Sequence, residues 1–200
     1  MNIVLASNNQ GKIKEFNAIL ASVGINLIAQ SEFNVPEVDE PYTTFIENAL
    51  HKARHCSKLT GLPSLADDSG ICVPALHGQP GIYSARYAGE NPKSDVANNQ
   101  KLINELSKLD TINRSAYFYC ALVFIRHSDD PQPIIADGIL HGEIINEARG
   151  VNGFGYNPHF YLPEYAKTVA ELDETMKNQI SHRGIALQEL LLKMRRSLSF

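Results

Sequence analysis

Cysteine is scarce in this 200-residue sequence: Cys56, Cys72 and Cys120 are odd in number and widely spaced, with no C-x-x-C arrangement. That argues against a disulfide framework or a structural zinc site and leaves reduced, buried thiols as the expectation. Long apolar runs are missing as well. No stretch of 18 apolar residues occurs, and the opening Ile3-Val4-Leu5-Ala6 is far too short for a signal-peptide core. No membrane association is expected, and a cytoplasmic location is. Positive charge is in deficit, with 18 Lys and Arg against 22 Asp and Glu and no basic run, for a net charge of −4. A nucleic-acid partner is therefore not expected. Neither an H-E-x-x-H helix nor a Gly-x-Ser-x-Gly elbow is present, which removes support for zinc hydrolysis and for a serine nucleophile. Repeats, low-complexity tracts and linkers are absent too.

What remains is an ordinary globular composition, 44% hydrophobic and 20% charged, in a length that suits one domain. Short apolar runs at 3–6, 27–29, 63–66 and 71–73 predict strands, and the aromatic-rich run from Ala116 to Ile125 predicts the longest one. Two shorter strands are expected at Pro133–Ala136 and Ile139–Ile145. Helical spacing is found at Ile13, Phe16, Ile19, Leu20 and Val23, with Gly24 as a stop. It recurs at Val96, Leu102, Ile103, Leu106 and Leu109, and at Ile185, Leu187, Leu190, Leu191 and Met194. Thr44-Phe45-Ile46-Glu47 has the form of a capping box that turns Phe45, Ala49, Leu50 and Ala53 inward. The segments 31–41 and 150–158 are expected to be loop. Interspersed helices and strands make this an α/β chain with a mixed sheet.

Three polar clusters interrupt this pattern. Ser7-Asn8-Asn9-Gln10-Gly11-Lys12 lies between a strand and a helix, where backbone N–H groups and a helix N-terminus meet anions, and Lys12 adds a point charge. Its spacing is not that of the Walker loop. Asp67-Asp68-Ser69-Gly70 follows an apolar run, and its composition predicts a turn at a strand end. Magnesium takes one or two carboxylates together with phosphate and water, and the second acid would be Glu40 in the acidic loop or Glu47 on the following helix. Ser181-His182-Arg183-Gly184 opens the last helix and offers donors to carbonyl oxygens of a base. Gly153-Phe154-Gly155-Tyr156 places an aromatic between glycines, where a base can approach and stack.

Taken together, these stretches resemble the family of pyrophosphatases acting on non-standard purine nucleoside triphosphates, the inosine triphosphatase-like enzymes. The matching pieces are Ser7-x-Asn9-x-x-Lys12, Thr44-Phe45-Ile46-Glu47-Asn48-Ala49, Ala66-Asp67-Asp68-Ser69-Gly70 and Gly81-Ile82-Tyr83-Ser84-Ala85-Arg86-Tyr87. Gly153-Phe154-Gly155-Tyr156, Ala170-Glu171-Leu172 and Lys177 followed by Ser181-His182-Arg183-Gly184 complete the set, in order along nearly the whole chain. The resemblance implies one domain over residues 1–200, an elongated mixed sheet with flanking helices in two lobes, a cleft between the lobes, and a homodimer. It implies magnesium-dependent hydrolysis of ITP, dITP or XTP to the nucleoside monophosphate and pyrophosphate, clearing deaminated purines from the nucleotide pool.

By the same resemblance, Asp68 is the catalytic acid–base residue and a magnesium ligand, with Glu40 as the second ligand. Ser7, Asn8, Asn9, Gln10, Gly11, Lys12 and Lys177 would grip the triphosphate. Ser69, Phe154, Gly155, Tyr156, Asn157, His182 and Arg183 would surround the nucleoside. Two positions depart from the family pattern. Asn157 stands where the family usually has Asp, which exchanges a charge for an amide with donors. Tyr42 stands in the acidic loop where a Gly is usual.

Overall fold

The computed structural model describes residues 1–20, 24–89, 93–110 and 113–198. Its strands are β1 (Asn2–Leu5), β2 (Asn26–Ala29), β3 (Ser64–Cys72), β4 (Ser115–Ile125), β5 (Ile134–Ile144), β6 (Phe160–Leu162) and β7 (Lys167–Thr168). They form one seven-stranded sheet in the order β2-β1-β3-β4-β5-β6-β7. β1 runs parallel to β2 and β3, whereas β6 runs antiparallel to β5 and β7, so the sheet is mixed. The helices are α1 (Gln10–Leu20), α2 (Phe45–Thr60), α3 (Asp95–Ser107), α4 (Glu174–Ile180) and α5 (His182–Leu198). The α/β class read from the sequence is the one observed. Among the described residues no helix is long and apolar enough to cross a membrane.

The chain divides into two compact units, one of Met1–Asp68, Cys120–Gly138 and Arg183–Phe200, the other of Ser69–Tyr119 and Ile139–His182. In the first, strand alternation serves both faces of the sheet. Ile3, Leu5, Leu65, Cys120, Leu122 and Phe124 pack against Phe16 and Leu20 of α1 and against Leu187, Leu190 and Met194 of α5. Val4, Ala66, Val123 and Ile125 point the other way, onto Ala49, Ala53 and Cys56 of α2. Each fully buried Phe or Leu contributes about 1.5–3 kcal/mol of transfer free energy. In the second unit, Ile71, Val73, Phe118, Ile144 and Phe160 gather Leu102 and Leu106 of α3 and the ring of Tyr156.

Local signals account for the helix ends. The Asn9 side chain accepts from the Lys12 N–H at 3.1 Å, which caps α1. The Thr44 hydroxyl accepts from the Glu47 N–H at 3.3 Å and donates to the Glu47 carboxylate at 2.6 Å, at the start of α2. Gly61 closes α2 with φ 69°, a left-handed geometry that a β-carbon disfavours.

Several expectations need correction. Asp67-Asp68-Ser69-Gly70 is no turn: β3 runs unbroken from Ser64 to Cys72, with both acids in its middle. Turn-forming composition is overridden because the acids find cations inside the fold and because Gly70 leaves room for a neighbouring segment. A β-carbon on Gly70 would lie 2.2 Å from the Gly81 carbonyl oxygen and 2.5 Å from Ser84 Oγ. Likewise the two strands expected around Asp137-Gly138 are one, β5, which runs from Ile134 to Ile144 between β4 and β6 in the sheet order. The acidic loop opens with a 3₁₀ turn at Gln30–Phe33. Val96 is 80% exposed rather than inward-facing. Val23 lies outside the described residues. α4, β6 and β7 were not anticipated, since short elements carry too few residues to show a period.

Candidate active site

In the first unit the polar residues converge on β3. Asp67 and Asp68 are 1% and 5% exposed, and neighbouring strand residues must point to opposite faces. Each acid therefore meets its own cation. Asp67 Oδ2 lies 2.9 Å from Lys12 Nζ in the first turn of α1 and 3.8 Å from Arg183 Nε at the start of α5. Arg183 Nη1 also donates to Glu15 Oε2 at 3.1 Å, so a chain of charges runs Lys12–Asp67–Arg183–Glu15, buried at its two central members.

Asp68 has a different partner. Lys52 Nζ, one helical turn beyond Asn48 on α2, donates to Asp68 Oδ1 at 3.1 Å and to Glu40 Oε1 at 2.8 Å. Asn48 Nδ2 approaches Asp68 Oδ2 at 3.5 Å. Burial, helped by the nearby carboxylates of Glu40 and Asp67, pushes the Asp68 carboxyl up to about 6 even though Lys52 opposes the shift. Burial by itself would lower Lys52, yet Asp68, Asp67 and Glu40 together hold its ammonium above the ordinary lysine range. A carboxyl held near neutrality in a buried acid–lysine cluster can take up or release a proton at physiological pH.

Glu40 and Asp68 both reach a single cationic centre, the Lys52 ammonium. That convergence of hard oxygen donors fits magnesium, whose remaining positions are usually filled by phosphate and water. Among the described residues no group of three or more His, Cys, Asp or Glu side chains forms a ready-made metal cage. Two protein carboxylates and a shared substrate are the arrangement compatible with that. Of the two acids left open by the sequence, Glu40 is the one beside Asp68, whereas Glu47 is engaged by Thr44. The Tyr42 departure leaves this intact. Asn48 holds both main-chain groups of Tyr42, at 3.0 and 3.2 Å, and the Tyr42 ring turns outward against His51.

The Ser7–Lys12 segment is ordered from within. Ser7 Oγ accepts from the Asn9 N–H at 3.2 Å, and Asn8 Nδ2 donates to Glu37 at 3.3 Å. Asn9 caps Lys12, while the N–H groups of Gln10 and Gly11 stand ahead of the ladder that α1 makes with itself, where anions bind.

The second unit gathers another set. Gly153, at φ 83°, and Gly155, at φ 64°, bend the loop around Phe154. A β-carbon on Gly153 would sit 2.1 Å from Asn157 Nδ2 and 3.2 Å from Lys177 Nζ, so the loop closes tightly on both. Lys177, 9% exposed, carries its ammonium 5.6 Å from the centre of the Phe154 ring, a cation–π distance. Tyr156 is committed to the core, its hydroxyl donating to the Ser84 carbonyl at 2.8 Å, which leaves the half-buried Phe154 as the ring able to meet a base. His182 stacks on Phe118 with centroids 4.8 Å apart and planes 15° apart, and Phe118 stacks in turn on Phe160 at 4.3 Å. Ser69 follows Asp68 directly in β3 and is half-buried.

Lys52, Asn48 and Glu15 were not picked out from the sequence. The signal for the first two was present: polar residues at i and i+4 on the same helical face as Ala49, Ala53 and Cys56 are expected only where something polar faces them.

A buried acid–lysine cluster, an anion-ready helix start and a glycine-bent aromatic loop define a nucleotide-handling α/β protein. The chain belongs to the Ham1 family, whose profile matches residues 3–193. It is 58% identical over 193 residues to the dITP/XTP pyrophosphatase of Chromobacterium violaceum, covering 96% of each chain. It is 58% identical over 192 residues to the enzyme of the same name from Neisseria meningitidis, again over 96% of each. Among solved structures, a HAM1 protein from Coxiella burnetii superposes with a TM-score of 0.90 at 46% identity, over 99% of both chains. The Staphylococcus aureus Ham1 protein does so with a TM-score of 0.85 at 43% identity, over the full length of both.

Proposed function

We propose that this chain hydrolyses purine nucleoside triphosphates bearing a deaminated base, ITP, dITP or XTP, to the nucleoside monophosphate and pyrophosphate. The observation that carries this is Asp68, buried in mid-strand, raised towards neutrality and sharing one cationic centre with Glu40. The names of its 58%-identical relatives support the substrate class. The enzyme acts in the cytoplasm as a homodimer, clearing such nucleotides before polymerases use them.

Glu40 and Asp68 would hold magnesium, which when bound neutralises phosphoryl oxygens and lowers the pKa of attacking water. The chain's own residues do the rest. Asp68 accepts a proton from water at a carboxylate oxygen as the water oxygen attacks the α-phosphorus. The bond from that phosphorus to the α,β-bridging oxygen breaks, and pyrophosphate leaves with the electron pair. Lys12, Lys177 and the amides of Ser7–Lys12 bind the triphosphate, placing positive charge where negative charge develops. Phe154 takes a face of the base, while Ser69, Gly155, Tyr156 and Asn157 frame the nucleoside.

Donors from His182 and Arg183 match the 6-oxo group of hypoxanthine and xanthine. Adenine presents an amino donor there, and each buried donor left unpaired costs about 1–3 kcal/mol. The neutral amide of Asn157 shifts the balance among 6-oxo purines relative to a carboxylate. The test is pyrophosphate release from ITP, XTP, GTP, ATP and UTP, with magnesium and with chelator. We expect ITP or XTP to lead, chelator to abolish turnover, and Arg183→Ala to narrow the ITP/ATP ratio. Release of orthophosphate, or equal rates in chelator, would refute the proposal.

A further inference from the structure

The nucleoside loop is shaped partly from outside itself. Gly155 sits at φ 64° in a stretch with two glycines, and its main-chain groups are bound from outside the loop. The Gly155 N–H donates to Asp95 Oδ2 at 2.7 Å, and the Gly155 carbonyl accepts from Asn99 Nδ2 at 2.9 Å. Asp95 and Asn99 are four residues apart on α3, so they project from one face, one turn apart. Gly155, the residue directly after Phe154, is thus gripped on both its donor and its acceptor by a single helix.

Asn99 is 7% exposed, and its orientation is forced. Its amide nitrogen also donates to the Asp95 carbonyl at 2.8 Å, so both contacts are to carbonyl oxygens and only the NH₂ end can face them. The cost is visible at the other end, where Asn99 Oδ1 is buried with no hydrogen-bond partner among the described residues. A group that sacrifices one polar atom to hold a loop is unlike ordinary helix surface.

The same helix steadies the loop's second anchor. Asn98 accepts from the Ala88 N–H at 2.7 Å and donates to the Ala85 carbonyl at 3.2 Å, fixing the 3₁₀ segment Gly81–Arg86. The Ser84 carbonyl of that segment accepts the Tyr156 hydroxyl. Residues 95, 98 and 99 therefore hold positions 155 and 156 directly and through one intermediate. Asn98 and Asn99 are buried on the side of α3 that carries Leu102 and Leu106, while Asp95 is exposed in its first turn.

We propose that Asp95 and Asn99 are positioning residues for nucleoside binding: a clamp on Gly155 that presents Phe154 and Asn157 to the base. The inference rests on the function proposed above, and its test separates the two. Three variants, Asp95→Ala, Asp95→Asn and Asn99→Asp, are compared with wild type by amide hydrogen exchange at Gly155 and by steady-state kinetics with ITP. Loss of the Asp95 acceptor should speed Gly155 exchange about tenfold while β3 amides stay protected. It should raise KM for ITP about tenfold, equivalent to about 1.4 kcal/mol, with kcat within about threefold. Asn99→Asp keeps the shape but turns a carboxylate towards two carbonyl oxygens, so its KM should rise further. Asp95→Asn retains an acceptor and should recover most of the wild-type KM.

Unchanged Gly155 exchange in Asp95→Ala overturns the clamp. Faster exchange with unchanged KM, or a fall confined to kcat, overturns its role in nucleoside binding. A wild-type protein that leaves ITP intact while the exchange result holds overturns the proposed function instead.

Discussion

Replacing Asp68 by Asn in metal-free protein should make the fold more stable while abolishing turnover. The fold holds Asp68 at about 6 against an ordinary 3.8, chiefly because burial disfavours its charge. A carboxyl whose folded pKa is raised contributes stability that is fully present below the unfolded value and is lost as pH rises through the folded one. At pH 7.5 both values have been passed. A difference of about two pH units then corresponds to about 3 kcal/mol withheld from the wild-type fold. Asn mimics the neutral carboxyl and removes that penalty, leaving Lys52 paired with Glu40 at 2.8 Å. For a chain of this length each kcal/mol moves Tm by about 2–4 °C, so Asp68→Asn should melt roughly 6–12 °C above wild type in chelator. The assay is thermal and urea unfolding of both proteins from about pH 3.5 to 8. The two should coincide near pH 3.5, separate between about pH 4 and 6, and stay separated above. Saturating magnesium should then close the gap by stabilising wild type alone, by about 2.7 kcal/mol at a hundredfold excess over Kd. A variant less stable than wild type at neutral pH, or a gap that ignores pH, would refute this account of Asp68.

Two further outcomes follow from the same geometry. Lys52→Met leaves Glu40 and Asp68 facing each other without their shared cation, and breaking a buried pair in this way costs about 3–5 kcal/mol. Urea unfolding in chelator at neutral pH should show that loss, and part of it should return with magnesium or at pH 5. Gly70→Ala drives a β-carbon into the Gly81 carbonyl and Ser84 Oγ, and should cost about 1–3 kcal/mol by overpacking, measured as a lower urea midpoint with unchanged m.

The buried strands of the first unit were legible because their residues serve two apolar faces, and unbroken apolar runs such as Ile3–Leu5 leave few alternatives. Helices α1, α2 and α5 were legible from their spacing and, in α2, from the Thr44–Glu47 capping box. The polar clusters were found as well, because Asn9, Lys12, Asp67 and Asp68 have no place in an apolar pattern unless something answers them. The turn assigned to residues 67–70 failed because composition scores only local preference. Lys12, Arg183, Lys52 and Asn48 all come from elsewhere in the chain, and they make an extended acidic strand affordable.

By residue chemistry alone Asp67 and Asp68, adjacent in sequence, are interchangeable, and only the family resemblance singles out Asp68. The pleat sends them to opposite faces, one to a Lys–Arg–Glu chain and the other to the Lys52–Glu40 centre. Sequence by itself determined the α/β class and the polar clusters at stake (though not Lys52, Asn48 or Glu15), since those follow from periodicity and from the cost of burying charge. Only the tertiary structure decided which cation answers which acid, and how far Asp68 is lifted. Those depend on distances between residues far apart in the chain, and electrostatic energy in a low-dielectric interior changes steeply with distance.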